Sequence, residues 1–146
     1  MHLSGEVSLR VPPERAFELL LDPRAVRAAL GDDCEELVAE TPERWRLAFK
    51  VGSGFFAARA KGEVEVLEAV WPTKLSAEAS GKMTGGGVRV ETSIELEAGG
   101  EAGGTRARWT AEVRLSGLAA AAPEGMLRQE AEARAARFFA ALERQG

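Results

Sequence analysis

From Cys34 to Ser116 the sequence alternates apolar and polar residues with a period of two, and from Pro123 to Arg144 it switches to the helical period. A strand patterned this way has one apolar face, and that face must be covered. The only long cover the chain offers is its last helix. Leu127, Ala131, Ala135, Phe138 and Leu142 recur on one stripe there, widened by Met126 and Phe139. Glu124/Arg128 and Glu130/Arg134 are spaced i,i+4 in the favourable order on its outer surface. A curved sheet holding one helix is therefore the expected body of the molecule.

The remaining segments fit around that pair. Leu3, Gly5, Val7, Leu9 and Val11 alternate with His2, Ser4, Glu6, Ser8 and Arg10, so residues 2–11 read as a half-buried strand. Pro12-Pro13 ends it, and Pro13 with Glu14 opens a helix with Ala16, Phe17, Leu20 and Leu21 inside. Asp22-Pro23 closes that helix and caps a second, PRAVRAAL, which Gly31 terminates. Six more strands are predicted near 34–40, 44–51, 55–68, 73–83, 87–98 and 105–116. The breaks are Thr41-Pro42-Glu43, Gly52-Ser53-Gly54, Trp71-Pro72, Gly85-Gly86 and the run from Gly99 to Gly104. Short loops between successive strands imply an antiparallel meander. The expected class is α+β: a seven-stranded curved antiparallel sheet, two short helices after the first strand and a long C-terminal helix, in one domain over residues 1–146.

Charge and composition exclude several functions. A net charge of -4 argues against a general binder of nucleic acid or of anionic membranes. No apolar run is long enough to span a bilayer, and MHLSGEVSLR lacks the pattern of a secretory signal. The single cysteine, Cys34, fits a reducing compartment, so a cytoplasmic location is expected.

Acid-base and metal chemistry have little to work with. His2 is the only histidine and there is no tyrosine, so Cys34 has no base to activate it and reads as a small buried hydrophobe. Asp32-Asp33 with Glu35-Glu36 lacks the spacing of a calcium loop and reads as a solvated acidic turn. Gly85-Gly86-Gly87 and Gly99-Gly100 lack the following helix and the lysine of a phosphate loop, and read as hairpin turns. No catalytic residue, metal or cofactor is expected. Arg46, Lys50, Arg59 and Lys61 are cations near one sheet edge; alternation puts Arg59 and Lys61 outside.

The informative feature is missing bulk on the concave face. Phe56, Ala58, Ala60, Gly62 and Val64 are predicted inward on one strand, Leu75, Ala77, Ala79, Gly81 and Met83 on the next, and Ala107, Trp109 and Ala111 on the last. Each alanine in place of leucine omits three carbons, at about 0.8 kcal/mol of burial apiece. Either the helix packs very close, as Ala131 and Ala135 would allow, or the face leaves room for a ligand. The residues placed to meet such a ligand are Leu30, Trp45, Phe49, Phe56, Met83, Trp109, Met126 and Leu127. The lid segments are Val26 to Leu30, Gly52-Ser53-Gly54 and Leu118 to Ala122.

Several segments carry a family resemblance: LSGEVSLRVPPERAFELLLDP, the Cys34-Glu35-Glu36-Leu37 strand entry, KGEVEVLEAVWPTKLSAEASGK, GGTRARWTAEVRLSGLAA and ARFFAAL. Together they resemble the carbon monoxide dehydrogenase CoxG-like family of the START/Bet v 1-like, or SRPBCC, superfamily. The resemblance implies a helix-grip fold with a hydrophobic cavity between sheet and long helix. It implies binding or carriage of a lipophilic molecule (a quinone, lipid or polyketide-like compound) in support of a partner enzyme, a molybdenum hydroxylase. The chain stops at Gly146 without the hydrophobic tail of some relatives, so no stable membrane anchor is expected. The competing expectations are a protein-interaction module that assists maturation of an enzyme, and a cyclase or hydrolase with a polar residue inside the pocket.

Overall fold

The computed structural model describes residues 1–51 and 58–146. Strand β1 (His2–Leu9) leads into helices α1 (Pro13–Leu20) and α2 (Pro23–Leu30). Then come β2 (Cys34–Thr41), β3 (Arg44–Val51), β4 (Ala58–Val70), β5 (Lys74–Met83), β6 (Gly86–Ala98) and β7 (Thr105–Gly117), followed by α3 (Glu124–Glu143). The seven strands form one antiparallel sheet in the order β1-β7-β6-β5-β4-β3-β2. Consecutive strands are neighbours except that β1 closes against β7, which leaves β2 and β1 as the edges.

Local chemistry explains the joints. The Asp22 side chain accepts from the Arg24 amide at the start of α2, and Gly31 ends that helix at φ 76°. Pro123, predicted as the first helical residue of α3, is instead its N-cap, with extended backbone at φ -61° and ψ 127°. Strand β4 outruns its predicted end because a bulge between Val66 and Glu68 takes Leu67 out of the alternation. The β4–β5 turn carries a cis peptide at Trp71-Pro72, and the Trp71 ring meets Phe17 edge-on at 5.2 Å.

Register fixes which side chains share a face. Ile94, Trp109 and Leu75 lie opposite one another and point toward the helices, as do Leu96 and Ala107. The core gathers where α1, α2 and the last turns of α3 meet β1, β7 and the adjoining end of β6. Leu3, Leu9, Phe17, Leu19, Leu96, Ala107, Phe139 and Leu142 are all buried there. Thr105, fully buried, spends its hydroxyl on the Val11 carbonyl at 2.7 Å, which satisfies that polar group within an apolar interior.

Helix α3 packs against α2, β1 and α1. Only Phe139 and Leu142 of its stripe are buried; Leu127, Ala131, Ala135 and Phe138 are half-buried and Met126 is 68% exposed. Polar contacts pin it to β1 as well: Arg128 donates to the His2 carbonyl at 2.7 Å, and Glu143 accepts from the Arg10 amide at 2.8 Å. The helix is therefore held firmly at its C-terminal end and loosely at its start.

Candidate ligand cleft

The inner face of the sheet is unequally covered. On β7, Ala107, Trp109 and Ala111 are buried beneath the helices. On β4, β5 and β6, Gly62, Val64, Val66, Ala77, Ala79, Val88 and Val90 face the same side and stay half exposed. The small residues on β7 thus serve close packing, whereas those on β4 and β5 border an unfilled apolar cleft beside α3. The Trp109 ring lies against Gly5, whose missing side chain is what admits it: a Cβ there would sit 2.7 Å from the indole. Trp109 is thereby a wall of the core as well as the inward residue the alternation predicts.

The other predicted ligand contacts fall into two groups. At the β2–β3 side, Trp45 is buried with its indole N–H donating to the Pro42 carbonyl at 3.2 Å. Phe49 is half-buried with the Arg134 guanidinium of α3 5.8 Å above its ring, a cation–π contact that joins helix to sheet across the cleft. Leu30, half-buried, ends α2 nearby. At the β5–β6 hairpin end, Met83 is half-buried on the inner face, while Met126 and Leu118 (76% exposed) project at the start of α3 and just before it. Phe56, with the Gly52-Ser53-Gly54 segment, lies outside the described residues. Sequence reasoning missed the Arg134–Phe49 contact, because the helical period placed Arg134 on the solvent side with Glu130, which it does bond at 2.8 Å.

Polar groups near this end are paired for structure. Asp33 meets Arg134 at 3.6 Å, Glu35 meets Arg59 at 3.2 Å and Glu36 meets Arg46 at 3.9 Å, so the acidic run at the entry to β2 is matched by arginines. His2 pairs with Glu112 on the outer surface. Among the described residues no three metal-binding side chains gather. Cys34 is buried and its thiol donates to the Glu36 carbonyl at 3.4 Å. Burial pushes that thiol above its ordinary value, against smaller opposing pulls from Arg27 and the Glu36 hydrogen bond. A raised folded pKa makes the thiol a stabilising group at pH below its unfolded value, and that contribution fades as pH climbs through the folded one. A disulfide reagent at pH 8 should therefore label native Cys34 about a hundredfold more slowly than the denatured chain. Equal rates in the two states would show that the thiol is accessible in the fold.

A bent antiparallel sheet, a two-helix bracket after its first strand and a long closing helix define a helix-grip domain of the START/Bet v 1-like class. Within that class the chain belongs to the carbon monoxide dehydrogenase CoxG family, which its residues 5–145 match. It is similar in fold to a conserved protein from Geobacillus kaustophilus, at 19% identity and a TM-score of 0.90, covering 99% of this chain and 94% of that one. A START superfamily protein from Mycobacterium smegmatis matches at 12% identity and 0.75, covering 99% and 95%. Ara h 8.0201 matches at 15% and 0.66, covering 98% and 95%. None of the curated proteins matches the chain. No helix among the described residues is long and apolar enough to cross a membrane. The fold and family suggest a hydrophobic ligand-binding protein.

Proposed function

We propose that the chain binds and carries a small lipophilic molecule, of quinone, lipid or polyketide-like chemistry, in the cleft between α3 and β4–β6. The observation that carries this reading is the half-exposed apolar strip of Gly62, Val64, Ala77, Ala79 and Val90 beside a helix docked at one end only. Apolar surface left open in the free protein is surface a ligand would cover, and its removal from water supplies the binding free energy. In this reading Phe49, Met83, Leu127 and Met126 would border the ligand, Trp45 and Trp109 would wall it, and Leu30 would lie at the α2 end. Release would need only the start of α3 and the Leu118 to Ala121 turn to swing, not the core to open. No acid-base role is assigned to the cleft: among the described residues its inward-facing side chains are apolar apart from Thr92, whose hydroxyl is spent on the Thr110 carbonyl at 2.9 Å. Carriage in the cytoplasm for a molybdenum hydroxylase partner is the setting the family suggests.

Paired substitutions test the cleft. Ala79→Leu adds bulk at a half-exposed position and should change stability by less than about 1 kcal/mol while weakening a naphthoquinone at least about tenfold. Ala111→Leu adds the same bulk where the structure is closed, and should cost about 1–3 kcal/mol. Melting curves and quenching of tryptophan fluorescence by the quinone read both quantities. Equal destabilisation by the two, with no quinone binding to the parent protein, would show that the strip is ordinary packing surface and would sink the carrier reading.

A further inference from the structure

The outer face of the sheet, opposite the cleft, carries an open trough of about 800 Å³ whose side chains come from five adjacent strands. Register sets them in two rows. One runs Lys61, Lys82, Gly87, Ser116 across β4 to β7; the next runs Arg46, Glu63, Ser80, Arg89, Arg114 across β3 to β7. The short residues Ser80, Gly87 and Ser116 make the depression and the long cations surround it. Lys61 stands directly opposite Lys82, and Arg89 directly opposite Arg114. Like charges so placed destabilise a sheet. Arg89 is paired to Glu78 and Arg46 reaches Glu36 at 3.9 Å, but Lys61, Lys82 and Arg114 have no ion pair among the described residues. Five cations against one glutamate among the described residues of the trough, in a chain of net charge -4, concentrate positive potential in one place.

We propose that this trough is a docking site for an extended acidic segment of a partner protein, independent of any ligand in the cleft. Its length selects the occupant. Strands about 4.8 Å apart spread these cations over about 19 Å, roughly six residues of extended chain. Acidic residues at alternate positions of such a segment put carboxylates about 7 Å apart along one side, which answers the row of cations where one small anion would meet only one or two. Its width selects further. The next row on the same face is Glu65, Glu78, Glu91 and Glu112, in register across β4 to β7. A broad anionic surface such as a bilayer would press on that acidic row; a single narrow strand lying along the basic one does not. Among the described residues no aromatic side chain lines the trough, so it offers no stacking platform for single-stranded nucleic acid.

The test uses a fluorescein-labelled octapeptide of alternating Ser and Glu, titrated with the whole protein and followed by anisotropy, beside the Ser-Lys octapeptide, inorganic tripolyphosphate and an octathymidylate. The Ser-Glu peptide is expected to bind, to weaken as salt is raised, and to bind best of the four. Lys82→Glu should weaken it by about tenfold or more, and Arg114→Gln by several-fold, while Arg108→Gln, on the same face of the same strand beyond the trough, stays within about twofold. Because Lys82→Glu replaces a like-charge pair by an opposite one, its melting temperature should hold or rise, which separates lost docking from lost fold. Indifference of the peptide to both trough substitutions overturns the proposal. So does tighter binding of tripolyphosphate or octathymidylate, or a salt-sensitive dimer by sedimentation that Lys82→Glu abolishes without any peptide binding.

Discussion

Phe139→Ala is expected to cost about 3–5 kcal/mol of stability, lowering the melting temperature by roughly 12 °C or more. Phe139 is 4% exposed and lies in the core cluster with Phe17, Leu19 and Leu142, its ring edge-on to Phe138 at 5.4 Å. Truncation removes the whole ring from a site whose walls are α1, α2, β1 and β7, elements that cannot collapse around the void without moving one another. Leu142→Ala, at 1% exposed, belongs with it at about 2–5 kcal/mol. Met126→Ala is the counterpart on the same helix. Its side chain is 68% exposed, so the loss should stay within about 0.5 kcal/mol. Denaturant melts of the three variants would reveal the gradient. Comparable losses at Met126 and Phe139 would mean that α3 is docked along its whole length, and the cleft would then not exist.

Gly117→Ala should be nearly as damaging for a different reason. Gly117 ends β7 at φ 64°, and a Cβ would lie 2.8 Å from the Gly86 Cα and nearer still to the Gly85 carbonyl oxygen. That oxygen accepts from the Leu118 amide, so the β5–β6 hairpin and the exit of β7 lock together through backbone alone. Left-handed backbone costs a side chain about 1 kcal/mol, and the clash must then be relieved by moving backbone, for a total of about 2–4 kcal/mol. Gly125→Ala supplies the opposite sign. Gly125 lies in the first turn of α3 with nothing within 4 Å of an added Cβ, and alanine there should stabilise by about 0.4–1 kcal/mol. Two Gly→Ala changes eight residues apart should thus move the melting temperature in opposite directions. A neutral Gly117→Ala would show that the hairpin junction relaxes freely.

These two cases mark what sequence could and could not convey. Period and punctuation were enough for all seven strands, both short helices and α3, because burial of one face leaves its period in the residue types. Ends were legible only where chemistry marks them. Asp22 announced the start of α2, but nothing in the alternation of β4 announced the bulge at Leu67. The candidate cleft was half legible. Ala77, Ala79 and Ala111 look alike in the sequence, and only the position of α3 separates the half-exposed pair from the buried third. The helical stripe tells which side of α3 faces inward; it does not tell how far along its length the sheet follows. The outer trough was least legible. Arg46 and Lys61 stood out as cations, but their company with Lys82 and Arg114 is a product of strand register, which brings together residues far apart in the chain.

One-ended docking of α3 separates two properties that share a helix. Substitutions near residues 138–142 act on the fold, and substitutions near residues 124–131 act on what the cleft admits and how long it is kept. Sites that do not touch combine nearly additively. A lineage could therefore retune ligand choice and residence at the start of the helix without spending the marginal stability that constrains most binding-site change. The far end of the same helix would carry the thermal adaptation. For a scaffold shared by many small-molecule binders, that division of one element into an adjustable half and a fixed half is a physical basis for its diversification.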